Sequence, residues 1–244
     1  MEGRDVSQWL GEDDGPRGIP GDASGSPTMS LLMYSLHPDG VSVWTDTLAT
    51  TPAGVPAFLV SKATALPHLG AVVAVTGALQ VGTRWVEAVT TSMVCRDFGM
   101  LDRLTPDPLR GIAKRVAAEF GPITGTSTVY HFGYSDSLDQ YVGFAYRSTN
   151  DYASERLPDG SFGVKPHPTK LPSSAPAATE DVVELATTIR REQEALAEAD
   201  RIHIGGDLVL IHMEDRVIAV AKVHRFDDFE RQWLEMNVRL NQEP

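Results

Sequence analysis

The chain has 244 residues, 42% of them hydrophobic and 22% charged, and its formal net charge is −12 at pH 7. This composition is typical of a globular protein with one main domain, and its acidic balance argues against nucleic-acid binding, which requires clustered Lys and Arg. The single cysteine, Cys95, excludes an intrachain disulfide, and the lack of a long apolar run or a signal-peptide pattern favours a cytoplasmic protein with no membrane partner.

Residues 1–29 differ in composition from the rest of the chain. They contain few apolar residues and many glycines and acids. Such a segment buries too little apolar surface to offset the entropy cost of ordering it. We therefore expect residues 1–29 to be a disordered leader, a propeptide, or a stretch upstream of a true start at Met29. Residues 30–227 are expected to form the domain and 228–244 a helical tail.

Two strands joined by a tight turn open the predicted domain. The turn is expected at residues 37–40, because Pro38 is disfavoured inside a central strand and Gly40 can adopt a positive φ without steric cost. Further strands are expected at 58–60 and 70–75. The second of these is apolar enough for burial on both faces.

Helices follow the fourth predicted strand. A helical pattern begins at Ala78 and is expected to end near residues 98–99. A second helix is marked by Asp107 as N-cap and Pro108 at the first helical position, and it ends before Gly121. Its broad apolar face predicts packing against a sheet.

The second half of the chain combines strands with one further helix. Adjacent strands are expected at 126–134 and 141–147, followed by a helix from Thr179 to about Ala199. A last hairpin follows the glycine pair at 205–206. Strand groups interrupted by helices predict an α+β architecture, in which two sheets pack face to face beneath outer helices.

Three polar residues are evenly spaced at the start of the domain. Ser30 follows a methionine, Asp46 ends the second predicted strand, and Lys62 lies beyond a loop, with successive members 16 positions apart. A structural ion pair is one interpretation of Asp46 and Lys62, and a catalytic pair is the other. The family resemblance given next, which has the same spacing, motivates the second interpretation.

The opening hairpin with its DGVSVWTDTLAT run, the segment around Lys62 and the terminal IGGDLVLIHMEDRVIAVAKV together resemble the proteasome β-subunit family. That family and its bacterial ATP-dependent peptidase relatives are N-terminal-nucleophile hydrolases. The resemblance implies a four-layer αββα sandwich of two antiparallel sheets. It also implies a homo-oligomer that hydrolyses a peptide or amide substrate without a cofactor, with an unfoldase as a candidate partner.

The same resemblance implies catalytic roles. Ser30 Oγ would attack the amide carbonyl, and its own freed α-amine would serve as the base, since an α-amine has an unperturbed pKa near ~8. Lys62 would lower the pKa of that amine by like-charge repulsion, and Asp46 would hold Lys62 charged and oriented. Backbone N–H groups around Thr76 and Gly77 would form the oxyanion hole.

Two features of the sequence leave the function open. Thr28 is the rival nucleophile, because the family usually uses threonine, and it would require a cut after Pro27. The family has a supporting Asp and Ser near the glycine pair, where this sequence has Arg201, His203 and Ile204. The alternative function is therefore that of a non-catalytic structural or assembly subunit.

The histidines and the cysteine do not indicate a metal site. The histidines of the predicted strands lack HxxxH or HxH spacing with a carboxylate; they are His131, His203, His212 and His224. Cys95 is expected to be a core thiol on a helix. No metal and no cofactor is therefore expected.

Overall fold

The computed structural model describes residues 31–241 apart from 52, 124, 173, 174 and 177. The strands are β1 (Leu32–His37), β2 (Gly40–Asp46), β3 (Leu48–Thr50), β4 (Pro56–Leu59), β5 (Ala63–Leu66), β6 (Ala71–Thr76), β7 (Thr128–Ser135), β8 (Gln140–Arg147), β9 (Ser154–Arg156), β10 (Phe162–Lys165), β11 (Asp207–Glu214) and β12 (Val217–Arg225). The helices are α1 (Leu79–Thr91), α2 (Phe98–Leu104), α3 (Pro106–Phe120), α4 (Thr179–Glu194) and α5 (Phe229–Leu240). None of these described helices is long and apolar enough to cross a membrane.

The strands form two five-stranded sheets and a small ribbon. The first sheet has the order β10-β1-β2-β11-β12, the second has the order β5-β6-β7-β8-β9, and β3 pairs with β4. All of these neighbours are antiparallel. Because β11 pairs with β2, the start of the last hairpin lies beside the end of the first hairpin, where Leu208 is opposite Asp46.

Apolar side chains hold the two sheets together and attach the helices to them. Between the sheets, Leu36 and Val43 of the first sheet and Phe132 of the second are fully buried in one cluster. On the outer face of the second sheet, α1 is buried through Trp85, and on the outer face of the first sheet, α4 is buried through Ile189. The predicted α+β sandwich of antiparallel sheets is confirmed.

The strand β6 is buried on both faces, as its apolar sequence predicted. All six of its residues are buried. Val73 packs in the cluster beneath α1, and Val72 packs in the cluster between the sheets. A strand between two apolar layers needs apolar residues at every position, which explains why its sequence does not alternate.

The first hairpin forms where it was predicted, with His37 paired to Gly40. The reason given for the glycine was wrong, because Gly40 does not adopt a positive φ. A Cβ on Gly40 would instead lie 2.7 Å from the carbonyl oxygen of Met213 on β11. Glycine at this position therefore allows β2 and β11 to approach closely.

The helical region after β6 is divided, whereas the sequence predicted one long helix. α1 ends at Thr91, and α2 begins after Asp97, whose side chain accepts a hydrogen bond from the Met100 N–H at 2.7 Å. Cys95 lies half-buried in the connecting loop, so its predicted position on a helix was also wrong. The carboxylate of Asp97 satisfies an N–H at the start of α2, and this favours a new helix over continuation of α1.

α3 begins at Pro106, one residue before its predicted cap. Thr105 occupies the N-cap position without a side-chain capping bond, and Asp107 lies in the first turn. Proline suits the first turn because the N–H that it lacks would have no partner within the helix.

α4 starts at Thr179, close to the prediction, but ends at Glu194 rather than near Ala199. Arg201 Nη2 donates to the carbonyl oxygens of Glu194 at 2.9 Å and Leu196 at 3.1 Å. A basic side chain that binds the last carbonyls of a helix stabilises its end. The chain turns back towards the first sheet at this point.

Candidate functional site

Asp46 ends β2, which is the central strand of the first sheet. The strand pairs with β1 on one side and with β11 on the other, and Asp46 lies opposite Leu208. Its residue exposure is 0%. A buried carboxylate is tolerated only when strong partners replace water, so the contacts of Asp46 define this corner of the molecule.

Both oxygens of the Asp46 carboxylate accept hydrogen bonds. Oδ1 accepts from Lys62 Nζ at 2.7 Å and from the Leu31 N–H at 2.9 Å. Oδ2 accepts from the Gly205 N–H at 3.1 Å and from the Leu48 N–H at 3.3 Å. The carboxylate therefore joins four segments: the start of β1, the start of β3, the residue before β5 and the loop before β11.

Lys62 is held in place by its backbone as well as by its charge. Its side chain is 1% exposed. Its carbonyl accepts from the Val75 N–H at 3.0 Å, which extends the β5–β6 ladder by one pair. The structure thus brings together Asp46 and Lys62, the two charged members of the evenly spaced set.

Burial controls the protonation of this pair. Removal from water raises the pKa of Asp46, against the effects of the Lys62 charge and the Gly205 and Leu31 N–H groups, which favour the carboxylate. Removal from water also lowers the pKa of Lys62, against the attraction of Asp46. Burial thus disfavours both charged forms, whereas the mutual attraction of the two groups favours them.

The glycine pair before β11 packs against the end of β2 and binds the Asp46 carboxylate. The Gly205 carbonyl accepts from the N–H groups of Thr47 at 3.3 Å and Leu48 at 3.2 Å, while the Gly205 N–H donates to Asp46. Gly206 has φ of +74°, and a Cβ there would collide with Thr47 Oγ1. Glycine is therefore required at 206 on both conformational and steric grounds.

Two buried glutamines fix the same loop from the helices. Gln232 of α5 accepts from the Gly206 N–H at 3.1 Å, and Gln193 of α4 accepts from the Ile202 N–H at 3.0 Å. Their exposures are 4% and 8%. Sequence analysis missed both, although a polar residue on the buried face of an amphipathic helix is a detectable signal.

Thr76 and Gly77 lie at the end of β6, the strand next to Lys62. Thr76 is buried and pairs with Thr128 of β7. Gly77 has φ of +89°, and a Cβ there would collide with the carbonyl oxygen of Thr126. The backbone geometry alone therefore requires glycine at 77, independently of any chemical role.

A small cleft opens beside Lys62, between the β5–β6 hairpin and α1. Its volume is about 150 Å³. Apolar side chains, including Val73, Val75 and Leu79, form most of its walls, and Thr64 adds a hydroxyl. The mostly aliphatic walls suit an apolar side chain rather than a charged one.

The two candidate nucleophiles, Ser30 and Thr28, lie outside the described residues. The described chain begins at Leu31, which is 1% exposed and donates its N–H to Asp46. The described part of the site therefore consists of the buried ion pair, the amide at the start of β1 and the adjacent cleft.

The other polar residues near the glycine pair form a separate group around Glu198. Arg201 Nη1 lies 2.9 Å and His203 Nε2 lies 3.3 Å from oxygens of Glu198. Burial lowers the pKa of His203, although Glu198 opposes the shift. Within the described ranges, no group of three or more His, Cys, Asp or Glu side chains is arranged to hold a metal ion.

Comparisons with known proteins were made in sequence and in structure. No protein-family model and no curated protein matches the chain. Anbu (ancestral beta-subunit) from Yersinia bercovieri superposes with a TM-score of 0.58 at 9% sequence identity, covering 88% of this chain and 98% of that one. The Anbu complex from Pseudomonas aeruginosa, a helical assembly, gives a TM-score of 0.56 at 15% identity, covering 88% and 97%. Anbu from Hyphomicrobium sp. strain MC1 gives 0.52 at 11% identity, covering 87% and 94%.

These similarities extend over most of this chain and nearly all of each solved chain. Sequence identities between 9% and 15% are too low to carry an activity from one protein to another, so the similarity bears on architecture alone. The chain shares the α+β sandwich fold of the Anbu (ancestral beta-subunit) proteins.

Proposed function

We propose that the protein is an N-terminal-nucleophile amide hydrolase of the peptidase type, with Ser30 as the nucleophile. One observation carries the proposal. Asp46 Oδ1, which binds Lys62 Nζ, also accepts the N–H of Leu31, the residue directly after Ser30 in the chain. The peptide bond between Ser30 and Leu31 therefore ends at an amide that is held by the carboxylate of the buried ion pair.

The mechanism uses the α-amine of Ser30 as the general base. The amine accepts the proton of Ser30 Oγ as the oxygen attacks the amide carbonyl, and it later returns the proton to the leaving nitrogen. The Lys62 ammonium disfavours a second positive charge nearby, so it lowers the pKa of the amine and keeps the amine neutral near pH 7. Water then hydrolyses the acyl-enzyme ester.

The developing oxyanion needs donors that are already in position. We assign this role to backbone N–H groups around Thr76 and Gly77, at the end of the strand next to Lys62. Each such donor commonly contributes ~3 kcal/mol of transition-state stabilisation. The positive φ of Gly77 supports the assignment, because it sets the direction of the peptide groups on either side.

The cleft beside Lys62 supports a preference for peptides with an apolar side chain, such as valine, next to the cleaved bond. Its Val and Leu walls match such a group.

A free α-amine at Ser30 requires processing of the chain. Removal of an initiating Met29, or a cut after Met29 within a longer chain, would expose it. Thr28 remains the alternative nucleophile and would require a cut after Pro27. A homo-oligomer also belongs to the proposal, supported by the helical assembly of the P. aeruginosa Anbu complex. An unfoldase partner is a further part of the proposal, carried over from the family resemblance.

A non-catalytic structural or assembly subunit is the second candidate. The residues near the glycine pair favour it. Arg201 and His203 stand where the family has a supporting Asp and Ser, and both bind Glu198, a surface carboxylate, instead of the Asp46–Lys62 pair. Such a protein would keep the fold and the ion pair without a free amine at Ser30.

Intact-mass measurement and mutagenesis distinguish the candidates. The enzyme is expected to have a mass that begins at Ser30 and to hydrolyse a peptide anilide ending in valine. Ser30→Ala should lower the rate by about a thousandfold or more, while Thr28→Ala leaves it unchanged. A product that retains residues 1–29 and is inactive would contradict the Ser30 mechanism and support the structural subunit.

A further inference from the structure

Gln232 connects the C-terminal helix to the site through the glycine pair. Its side chain lies on the buried face of α5, and its Oε1 accepts from the Gly206 N–H at 3.1 Å. The preceding amide, that of Gly205, donates to Asp46 Oδ2 at 3.1 Å. A single peptide unit therefore separates the glutamine contact from the site carboxylate.

The same glutamine also packs against Gly205. A Cβ on Gly205 would lie 2.6 Å from Gln232 Nε2 and 2.7 Å from Oε1. A side chain at 205 would therefore have to displace the amide end of Gln232. Gly205 thus accommodates the amide group of Gln232, which gives the glycine pair a second purpose besides its turn geometry.

The far end of the Gln232 side chain is fixed as well. Its Nε2 donates to Asp228 Oδ2 at 2.8 Å, and Asp228 Oδ1 accepts from Arg190 Nη1 of α4 at 2.8 Å. An amide held by a donor and an acceptor at once has one orientation, so its oxygen must face Gly206. The hydrogen bonds run without interruption from α4 through α5 to the loop.

We propose that Gln232 is a positioning residue for the Asp46–Lys62 site. By fixing Gly205 and Gly206, it fixes the Asp46 carboxylate, and through that carboxylate it fixes the Leu31 N–H at the start of β1. The structural part of this inference stands by itself. Its catalytic part rests on the proposed function, in which the residue before Leu31 performs the attack.

Amide hydrogen exchange tests the structural part without any need for activity. The informative amides are those of Gly205 and Leu31, because both donate to Asp46. Leu31 is the more stringent reporter, since it is linked to Gln232 through the carboxylate. Gln232→Met keeps the length and the apolar packing of the side chain but removes both hydrogen bonds.

We expect Gln232→Met to accelerate exchange at Gly205 and Leu31 by at least about tenfold relative to the amide of Val73 in β6. Leu234→Ala, at an exposed position of the same helix, serves as the matched control and should change neither amide. Unchanged exchange at Leu31 in Gln232→Met would overturn the proposal, as would equal acceleration at all three amides.

Gln232→Glu provides a second test that does not depend on the folding of Gln232→Met. The glutamate retains an acceptor for the Gly206 N–H, but it places a second carboxylate beside Asp228. Repulsion from Asp228 raises the pKa of the new carboxyl, and the neighbouring Arg190 and Arg231 offset part of this shift. One proton shared by the two carboxyls then restores the contact at low pH. Exchange protection of the Leu31 amide in this variant, relative to the original protein at the same pH, should therefore be higher at about pH 5 than at about pH 8. Protection independent of pH would overturn the proposal.

The activity of the same variants tests the catalytic part. If the protein hydrolyses a valine anilide in a Ser30-dependent way, Gln232→Met should lower kcat with little change in KM, because the cleft beside Lys62 is untouched. Unchanged kcat would overturn the positioning role. If the original protein proves inactive, the proposed function fails, and the exchange rates at Leu31 still decide the structural part.

Discussion

Asp46 has both carboxylate oxygens occupied by groups of the protein itself. One oxygen binds Lys62 and Leu31, and the other binds Gly205 and Leu48. A carboxylate in this position has little capacity left to take a proton from a substrate. Its contribution to any chemistry at this site is to orient its partners.

Removing one member of the ion pair should destabilise the protein more than removing both. Lys62→Met leaves a buried carboxylate without its counter-charge and should reduce the free energy of unfolding by ~3–5 kcal/mol. The double variant Asp46→Asn, Lys62→Met should lose less. Urea unfolding of the two single variants and the double variant measures the coupling, and additive losses would contradict a coupled pair.

The loss in Lys62→Met should also depend on pH. Burial raises the pKa of Asp46 above its unfolded value, so the folded variant binds more protons than the unfolded chain. Stability of the variant is therefore retained at low pH and lost as the pH rises through the folded pKa. Unfolding curves at about pH 5 and about pH 8 should show the larger deficit at the higher pH.

His131 is a second buried titratable residue, located in β7 beneath α1. Its Nε2 accepts from Trp85 Nε1 at 2.8 Å, and its ring stacks on the indole. An indole N–H only donates, so Nε2 must be unprotonated and the neutral ring carries its proton on Nδ1. Burial lowers the pKa of His131 from 6.5 to about 3.

His131 should make the protein sensitive to acid. Between pH 6.5 and about 3 the unfolded chain binds a proton at this residue that the folded chain does not, so stability falls as the pH falls, by up to ~1.4 kcal/mol per pH unit. His131→Phe should show a shallower loss of unfolding free energy over this range. His68→Gln, at an exposed position, is the control and should keep the original slope. Identical slopes for all three proteins would contradict this role.

At the scale of elements, the boundary between α1 and α2 depends on one cap. Asp97 accepts from the Met100 N–H, whereas Asp107, the cap expected for the next helix from the sequence, makes no such bond at the start of α3. Asp97 has the extended backbone that an N-cap requires, whereas Asp107 already lies inside the first turn of α3.

Alanine substitutions should separate these two aspartates. Asp97→Ala should reduce the free energy of unfolding by ~1 kcal/mol, because an N–H of α2 loses its acceptor. Asp107→Ala should cost only a few tenths, since its exposed ion pair with Arg110 contributes little. Chemical denaturation measures both, and a larger effect at Asp107 would show that the cap had been assigned to the wrong residue.

The elements that the sequence predicted well have local signals. The apolar run of β6, the first hairpin and the last hairpin are each specified by their own residues. The pairing of Asp46 with Lys62 was implied by the family resemblance. Gly40 and Gln232 behave differently. Gly40 is explained by Met213 on a strand near the other end of the chain, and Gln232 by Gly205 and Gly206. No local pattern contains such contacts, so the sequence alone could not assign these roles.

At the scale of the whole molecule, α5 is the element whose relation to the rest matters most. The sequence analysis placed residues 228–244 in a tail beyond the domain. In α5, Gln232 and Met236 are buried at 4% and 6% exposure, whereas Trp233 is 46% exposed. One side of the helix therefore packs against β4 and the loop before β11, and the opposite side faces solvent.

Substitutions on the two sides of α5 should differ in their effects. Met236→Ala should lower the free energy of unfolding by ~2–3 kcal/mol, because it leaves a cavity. Trp233→Ala should change it by less than ~0.5 kcal/mol despite the larger side chain removed. Thermal and urea unfolding would measure both values. Equal, small effects would mean that α5 contributes no stability to the sandwich.

The four donors of Asp46 also set an order of events during synthesis. Leu31, Leu48 and Lys62 are translated early, but Gly205 is separated from Asp46 by 159 residues. A ribosome-bound chain has therefore completed most of the protein before the last donor emerges, and contacts so distant in sequence form slowly. A nascent or truncated chain consequently has no assembled site, so any hydrolytic activity begins only when synthesis of the chain is nearly complete.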